Sequence, residues 1–245
     1  MEILPRNADL SGKVKYPVIF KVYNGPDSQS VQKKFRLHWD ALLAAEEKVI
    51  VVVVDGRGTG FKGRKFRNLV YRHLGHLEAE DQIAAAQIWS EKSYVDASRI
   101  GIWGWSYGGY IVSKVVEADS GVFSMAIAVA PVTDWRFYNS IYTERYMGSP
   151  SDNSEGYTTS AVNRMDGFQK TSFMLIHGSG DDNVHLQHSA NLIDKLTMAH
   201  VHHYVFRLFV DSDHSISYRG ASVEMYYAMR DFIRQTYFPT RHYTN

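Results

Sequence analysis

Apolar residues follow two rhythms along this chain. Short runs that are apolar at nearly every position predict strands covered on both faces. Stretches with an apolar residue every third or fourth position predict helices. Residues 1–13 are polar and irregular. Residues 16–23 form the first strand, closed by the turn signal Asn24-Gly25-Pro26. Val31, Phe35, Trp39 and Leu42 predict a helix. Residues 49–54 are apolar without exception and end at Asp55-Gly56-Arg57-Gly58-Thr59-Gly60. Residues 78–92 predict a helix with acidic residues in its first turn. Residues 100–103 predict a strand, and Ile111, Val115 and Ala118 the helix after it. Residues 124–130 are a strand closed by Pro131. Residues 132–163 are aromatic and polar with little period, as expected of an insertion carrying short helices. A strand at 173–177, a helix through His188, Leu192, Leu196 and Ala199, a strand at 204–210 and a helix through Ala221, Met225, Met229 and Phe232 complete the chain. Six strands alternating with helices predict an α/β fold, a mainly parallel sheet with helices on both faces. No repeat, linker or low-complexity tract divides residues 1–245, which read as a single domain. In such sheets ligands bind at the carboxyl ends of the strands.

Composition narrows the picture. The 245 residues are 44% hydrophobic, enough to bury a sizeable core. A formal net charge of +1 gives no reason to expect nucleic acid. The basic stretch at 62–72 is interrupted by apolar residues and reads as a solvated loop face. There is no cysteine, hence no disulfide framework and no thiol nucleophile. No apolar run approaches the length of a membrane span, and residues 1–11 lack the apolar core of a signal peptide.

Candidate chemistry starts at Gly104-Trp105-Ser106-Tyr107-Gly108, a G-x-S-x-G between a predicted strand and a predicted helix. That arrangement is a nucleophile elbow. Its glycines let two backbone segments approach closely while the serine takes a strained conformation. The positive end of the following helix points at the serine. A serine hydroxyl needs a base that titrates near neutrality, and the base needs a carboxylate to orient it. In this kind of fold the order is Ser, then Asp or Glu, then His. Ser106, then Asp181 or Asp182, then His214 satisfies it at three predicted strand ends. One of the two aspartates is expected to face His214 and the other to cap the next helix. Tyr107 should donate its backbone N–H to an oxyanion, and the phenol of Tyr23 is a candidate second donor.

Other patterns carry less. Gly58-x-Gly60-x-x-Gly63 matches a dinucleotide fingerprint, but no helix start follows it and the acid near Glu78 opens a helix instead of ending a strand. His177 ends a strand upstream of the acid, which breaks the order. His185, His188, His200, His202 and His203 sit on or beside a helix with no carboxylate in metal-ligand spacing, and read as surface histidines. No metal and no cofactor is expected.

At these residues the chain resembles the prolyl oligopeptidase family of serine peptidases, and within it the dipeptidyl peptidase IV branch with its fungal dipeptidyl aminopeptidases. The resemblance rests on Val22-Tyr23-Asn24-Gly25-Pro26, residues 55–60, Gly104-Trp105-Ser106-Tyr107-Gly108-Gly109-Tyr110, Tyr142-Thr143-Glu144-Arg145-Tyr146-Met147-Gly148, His177-Gly178, residues 181–185 and Asp213-His214. It implies an α/β-hydrolase fold and release of N-terminal dipeptides after a penultimate proline. It implies Asp181 as the acid, Asp182 as structural, and Tyr23 in the oxyanion hole. It also implies Tyr107, Val132, Trp135, Tyr142, Tyr146 and Val184 around a proline-sized pocket, with Asn183 on the peptide backbone of the substrate. Members carry an N-terminal β-propeller that supplies a glutamate pair for the substrate amine; here it is expected to lie outside the chain. A general esterase or amidase, or a hydrolase domain without dipeptidase activity, are the alternatives. Ser215 stands after His214 where many members have Gly. Family members also pair through the last strand and C-terminal helix, which implies an apolar surface at residues 225–238, and they work on the lumenal or extracellular side of membranes or as secreted or vacuolar enzymes.

Overall fold

The apolar runs become the middle strands of one sheet. A computed structural model describes residues 1–35 and 37–239. In chain order it holds β1 (Glu2–Ile3), β2 (Tyr16–Val22), α1 (Trp39–Glu46), β3 (Ile50–Val53), α2 (Arg64–Arg67), α3 (His76–Ser90), β4 (Val95–Trp105), α4 (Tyr107–Glu117), β5 (Met125–Val129), α5 (Ser140–Met147), α6 (Ser154–Ser160), β6 (Ser172–Gly178), α7 (Gln187–Met198), β7 (Tyr204–Phe209) and α8 (Ala221–Tyr237). The strands lie in the order β1-β3-β2-β4-β5-β6-β7. Every neighbouring pair is parallel except β1 with β3.

Alternation along each strand sends neighbouring side chains to opposite faces. Val18, Phe20, Ile102, Ala126, Ala128, Phe173 and Leu175 face α3, α4 and α7. Ile19, Val51, Trp103, Met125, Ile127, Met174 and Ile176 face α1 and α8. Both faces are buried, which is why these segments are apolar throughout. Each fully buried large side chain contributes roughly 1.5–3 kcal/mol.

Three expectations change. The helix predicted from Val31 begins only at Trp39. The Asp55 carboxylate accepts the backbone N–H groups of Ser30 and Val31, so those residues are held out of a helix, and Phe35 is 86% exposed. The polar N-terminal stretch contains a seventh strand, β1, because the edge of β3 offers a partner and Glu2 accepts from Trp89 Nε1 and Tyr94 Oη. The strand before the elbow starts at Val95, five residues earlier than its apolar run, because β2 pairs with it from Tyr16 onward. The insertion at 132–163 does carry short helices, α5 and α6. Among the described residues no helix is long and apolar enough to cross a membrane.

Candidate active site

The turn between β4 and α4 is as sharp as the glycines suggested. Ser106 sits at φ 60°, ψ −117°, a conformation that costs a non-glycine residue roughly 1–3 kcal/mol. Its N–H donates to Val129 O at 2.8 Å, fixing the apex against β5. A Cβ on Gly104 would overlap the backbone of Gly108, and one on Gly108 would overlap the Val22 carbonyl. Both positions therefore demand glycine. Tyr107 is the first residue of α4, so its N–H has no acceptor within the helix.

Two further strand ends converge beside this turn. His214 Nδ1 lies 2.7 Å from Asp181 Oδ2. Asp181 Oδ1 accepts the N–H groups of Asn183 and Val184 at 3.0 and 2.9 Å. Burial works to raise the Asp181 pKa, but hydrogen bonds from His177, His214 and the Asn183 amide hold it well below the usual carboxylate range. Trp105, the residue before Ser106, donates its indole N–H to the His214 carbonyl at 3.1 Å. The imidazole loop is thus tied to the elbow strand itself. Asp213 closes the turn by accepting from the N–H and hydroxyl of Ser215, so a serine fits after His214. Asp182 is exposed and caps nothing: α7 is preceded by Leu186 with no side-chain cap, and the backbone carbonyl of His185 accepts the His188 N–H there.

Tyr23 follows β2 and is 42% exposed, its ring centroid 6.2 Å from that of Tyr107. Partial burial and the neighbouring Tyr138 and Tyr146 push its phenol upward, so it stays a neutral donor. The corner is braced by buried Asn24, whose Oδ1 accepts Gly56 N–H and whose amide donates to Arg57 O. The glycine-rich segment after β3 therefore supports Tyr23. Aromatic rings continue the surface. Trp135 stacks on Tyr142 at 5.9 Å and meets Tyr107 at 5.6 Å, and Tyr142 meets Tyr146 at 4.8 Å. Val132 and Val184 are buried in the same cluster. Asn183 is exposed and accepts the Tyr138 hydroxyl at 2.7 Å. Ring contacts thus join Tyr23, Tyr107, Trp135, Tyr138, Tyr142 and Tyr146, and Asn183 reaches them through the Tyr138 hydroxyl.

Hydropathy hid three polar residues of the same region. Glu78 looked like an ordinary first-turn acid, yet it is fully buried, accepting from Tyr107 Oη at 2.7 Å and Gly75 N–H at 3.1 Å. Burial pushes its carboxyl up to about 7. His188 is not on the surface: α7 presses it onto the loop after β5, where Nδ1 accepts Thr133 N–H and burial lowers its pKa to about 4. His177 is fully buried behind Asp181. The readable signal for Glu78 is its register, since Glu78, Gln82, Ala85 and Ala86 share one helix face. Among the described residues no group of three His, Asp or Glu could hold a metal ion.

Comparison with known proteins places this arrangement. Residues 34–238 match the model of the prolyl oligopeptidase family. A Coccidioides posadasii protein named probable dipeptidyl-aminopeptidase B is 50% identical over 230 residues, covering 93% of this chain and 25% of its own length. The protein of that name from Tuber melanosporum is 54% identical over 216 residues, covering 87% of this chain and 24% of its own. The crystal structure of Porphyromonas gingivalis dipeptidyl peptidase 4 superposes with a TM-score of 0.90 and 39% identity, over 96% of this chain and 33% of that one. The chain thus spans about a quarter of the length of the curated relatives it matches. The sheet and its helices are those of an α/β-hydrolase, as expected from the elbow.

Proposed function

From a chain that belongs to the prolyl oligopeptidase family, we propose a serine peptidase that releases N-terminal dipeptides, preferably after a penultimate proline. Ser106 Oγ attacks the scissile carbonyl as its proton passes to His214 Nε2. Asp181 holds the imidazole by Nδ1 and stabilises its charged form. The Tyr107 N–H and the Tyr23 hydroxyl receive the oxyanion. Collapse breaks the C–N bond, and His214 returns the proton to the leaving amine. A water molecule then gives its proton to His214 and attacks the acyl-enzyme, and His214 passes that proton to Ser106 Oγ as the dipeptide acid leaves. Tyr107, Val132, Trp135, Tyr142, Tyr146 and Val184 receive the proline ring, and Asn183 holds the peptide backbone. A flat apolar ring suits a hollow walled by aromatic faces.

The observation that carries this reading is the 2.7 Å contact from Asp181 to His214, on a loop tied to the elbow strand by Trp105. Ser106→Ala should abolish covalent labelling by a fluorophosphonate and cleavage of a Gly-Pro amide while leaving the melting curve unchanged. Labelling that survives the substitution refutes the assignment. Faster turnover of short acyl esters than of the Gly-Pro amide would favour an esterase on this scaffold. The apolar surface expected at residues 225–238 is mostly covered, since Met225, Met229, Ile233 and Tyr237 are buried against the sheet; exposed Val205 and Leu208 on β7, and Val223 and Tyr227 on α8, are what supports pairing of two copies through the last strand and C-terminal helix.

A further inference from the structure

Asp181 Oδ2 has two imidazole neighbours. His214 Nδ1 is 2.7 Å away and His177 Nε2 is 3.3 Å away. His177 comes from the end of β6 and has no solvent exposure. Its Nε2 also lies 2.7 Å from the Val184 carbonyl, and its Nδ1 lies 2.7 Å from Ser189 Oγ. A carbonyl oxygen only accepts, so Nε2 carries a proton. That one N–H is shared between Val184 O and Asp181 Oδ2. The Ser189 hydroxyl pairs with Nδ1 on the other side of the ring. Val184 meanwhile donates its own N–H to Asp181 Oδ1. The 181–184 turn is therefore closed from both sides, by its own amides on one carboxylate oxygen and by His177 on the other.

We infer that His177 is a positioning residue for the triad: through its Nε2–H it clamps the Asp181 turn and shares the carboxylate oxygen that His214 uses. This rests on the reading of Ser106, His214 and Asp181 given above. The clamp fixes where Oδ2 points, and so which way His214 turns its Nε2. It also supplies Asp181 with a donor that burial makes valuable, since a hydrogen bond to a buried charge is worth more than one between neutral groups. The ionisable groups around the pair are Asp213 and His214 after β7, His185 and His188 at the start of α7, Asp134 after β5, and Tyr138.

Two substitutions separate the donor from its bulk. His177→Gln keeps an amide N–H near the place of Nε2, whereas His177→Phe fills similar space without a donor. The readout is the second-order rate of fluorophosphonate labelling against pH, with Ser106→Ala run in parallel. The expected result is a loss of about tenfold or more across the pH range in the Phe variant. The Gln variant should stay within about threefold of the parent. A Phe variant that labels like the parent, or equal losses in both variants, overturns the inference. Labelling that persists in Ser106→Ala instead overturns the triad. A measurement on the unaltered protein covers the case in which the Phe variant does not fold. The ¹⁵N resonances of His177 should show a proton on Nε2, and an unprotonated Nε2 refutes the clamp.

Discussion

Replacing Glu78 with Gln removes a charge from beneath the nucleophile helix while keeping the shape of the side chain. Burial raises this carboxyl from 4.5 to about 7 in the folded protein, which corresponds to a cost of about 3 kcal/mol for the ionised form. The sign follows from proton counts. Below pH 4.5 both folded and unfolded chains hold the proton, and Glu78 contributes no pH dependence. Between 4.5 and about 7 the folded chain holds more protons, so stability falls as pH rises. Above 7 the full cost is present. His188 works the other way, because its folded pKa is lowered from 6.5 to about 4. In that window the unfolded chain binds the proton and the folded chain does not, so stability rises with pH. The two slopes offset each other between about pH 4.5 and 6.5, and the parent protein should show little net dependence from this pair. Subtracting the parent from Glu78→Gln cancels His188 and every other common group. Urea unfolding at pH 4.5 and pH 8 reads the difference. The variant should gain about 3 kcal/mol on the parent between those two pH values. A difference independent of pH refutes the argument, because it would mean that Glu78 ionises as an exposed carboxyl does.

Trp105→Phe removes the indole donor that ties the His214 carbonyl to the elbow strand. Stability should fall by about 1 kcal/mol, while fluorophosphonate labelling falls by roughly tenfold through the loosened imidazole loop; labelling that tracks the small stability loss alone would show that the tie does not position His214. Pairing through β7 and α8 predicts a light-scattering mass that doubles with concentration. Joint replacement of Leu208 and Val223 by Glu should return it to one copy, and a monomer at every concentration in the unaltered protein counts against pairing.

The elbow was legible because its constraint is local. Gly104 and Gly108 are excluded from carrying a Cβ by backbone within a few residues or on the adjoining strand, and close approach of backbone is what a G-x-S-x-G pattern encodes. The sheet was legible for a related reason, since a strand buried on both faces has no polar position to disguise it. Phe35 and His188 misled for the opposite reason. Their settings are decided by partners far along the chain, Asp55 capturing the amides before one and Thr133 donating to the other. A periodicity argument sees only the element that carries a residue, and neither partner belongs to it.

Among the described residues, three carboxylates grip consecutive backbone amides. Asp55 takes those of Ser30 and Val31, Glu117 those of Asn163 and Arg164, and Asp181 those of Asn183 and Val184. The first two grips span distant segments and fix loops in place. If gripping amides were the mark of a catalytic acid, all three would qualify. Asp181 differs in what its second oxygen faces: two imidazoles, where that of Glu117 faces Lys114 and both oxygens of Asp55 take backbone amides. That difference explains why adjacent aspartates could not be separated by spacing alone. Either residue could close the turn, but only the one whose remaining oxygen points at the strand end carrying His214 can orient a base. The choice is made by the register of β6 against β7, where His177 pairs with Leu208 and Gly178 with Phe209. Shifting that register by one residue would turn each side chain of β7 to the other face of the sheet. Under the proposed mechanism the role of Asp181 thus depends on how β6 and β7 pair as well as on the acidic pair itself.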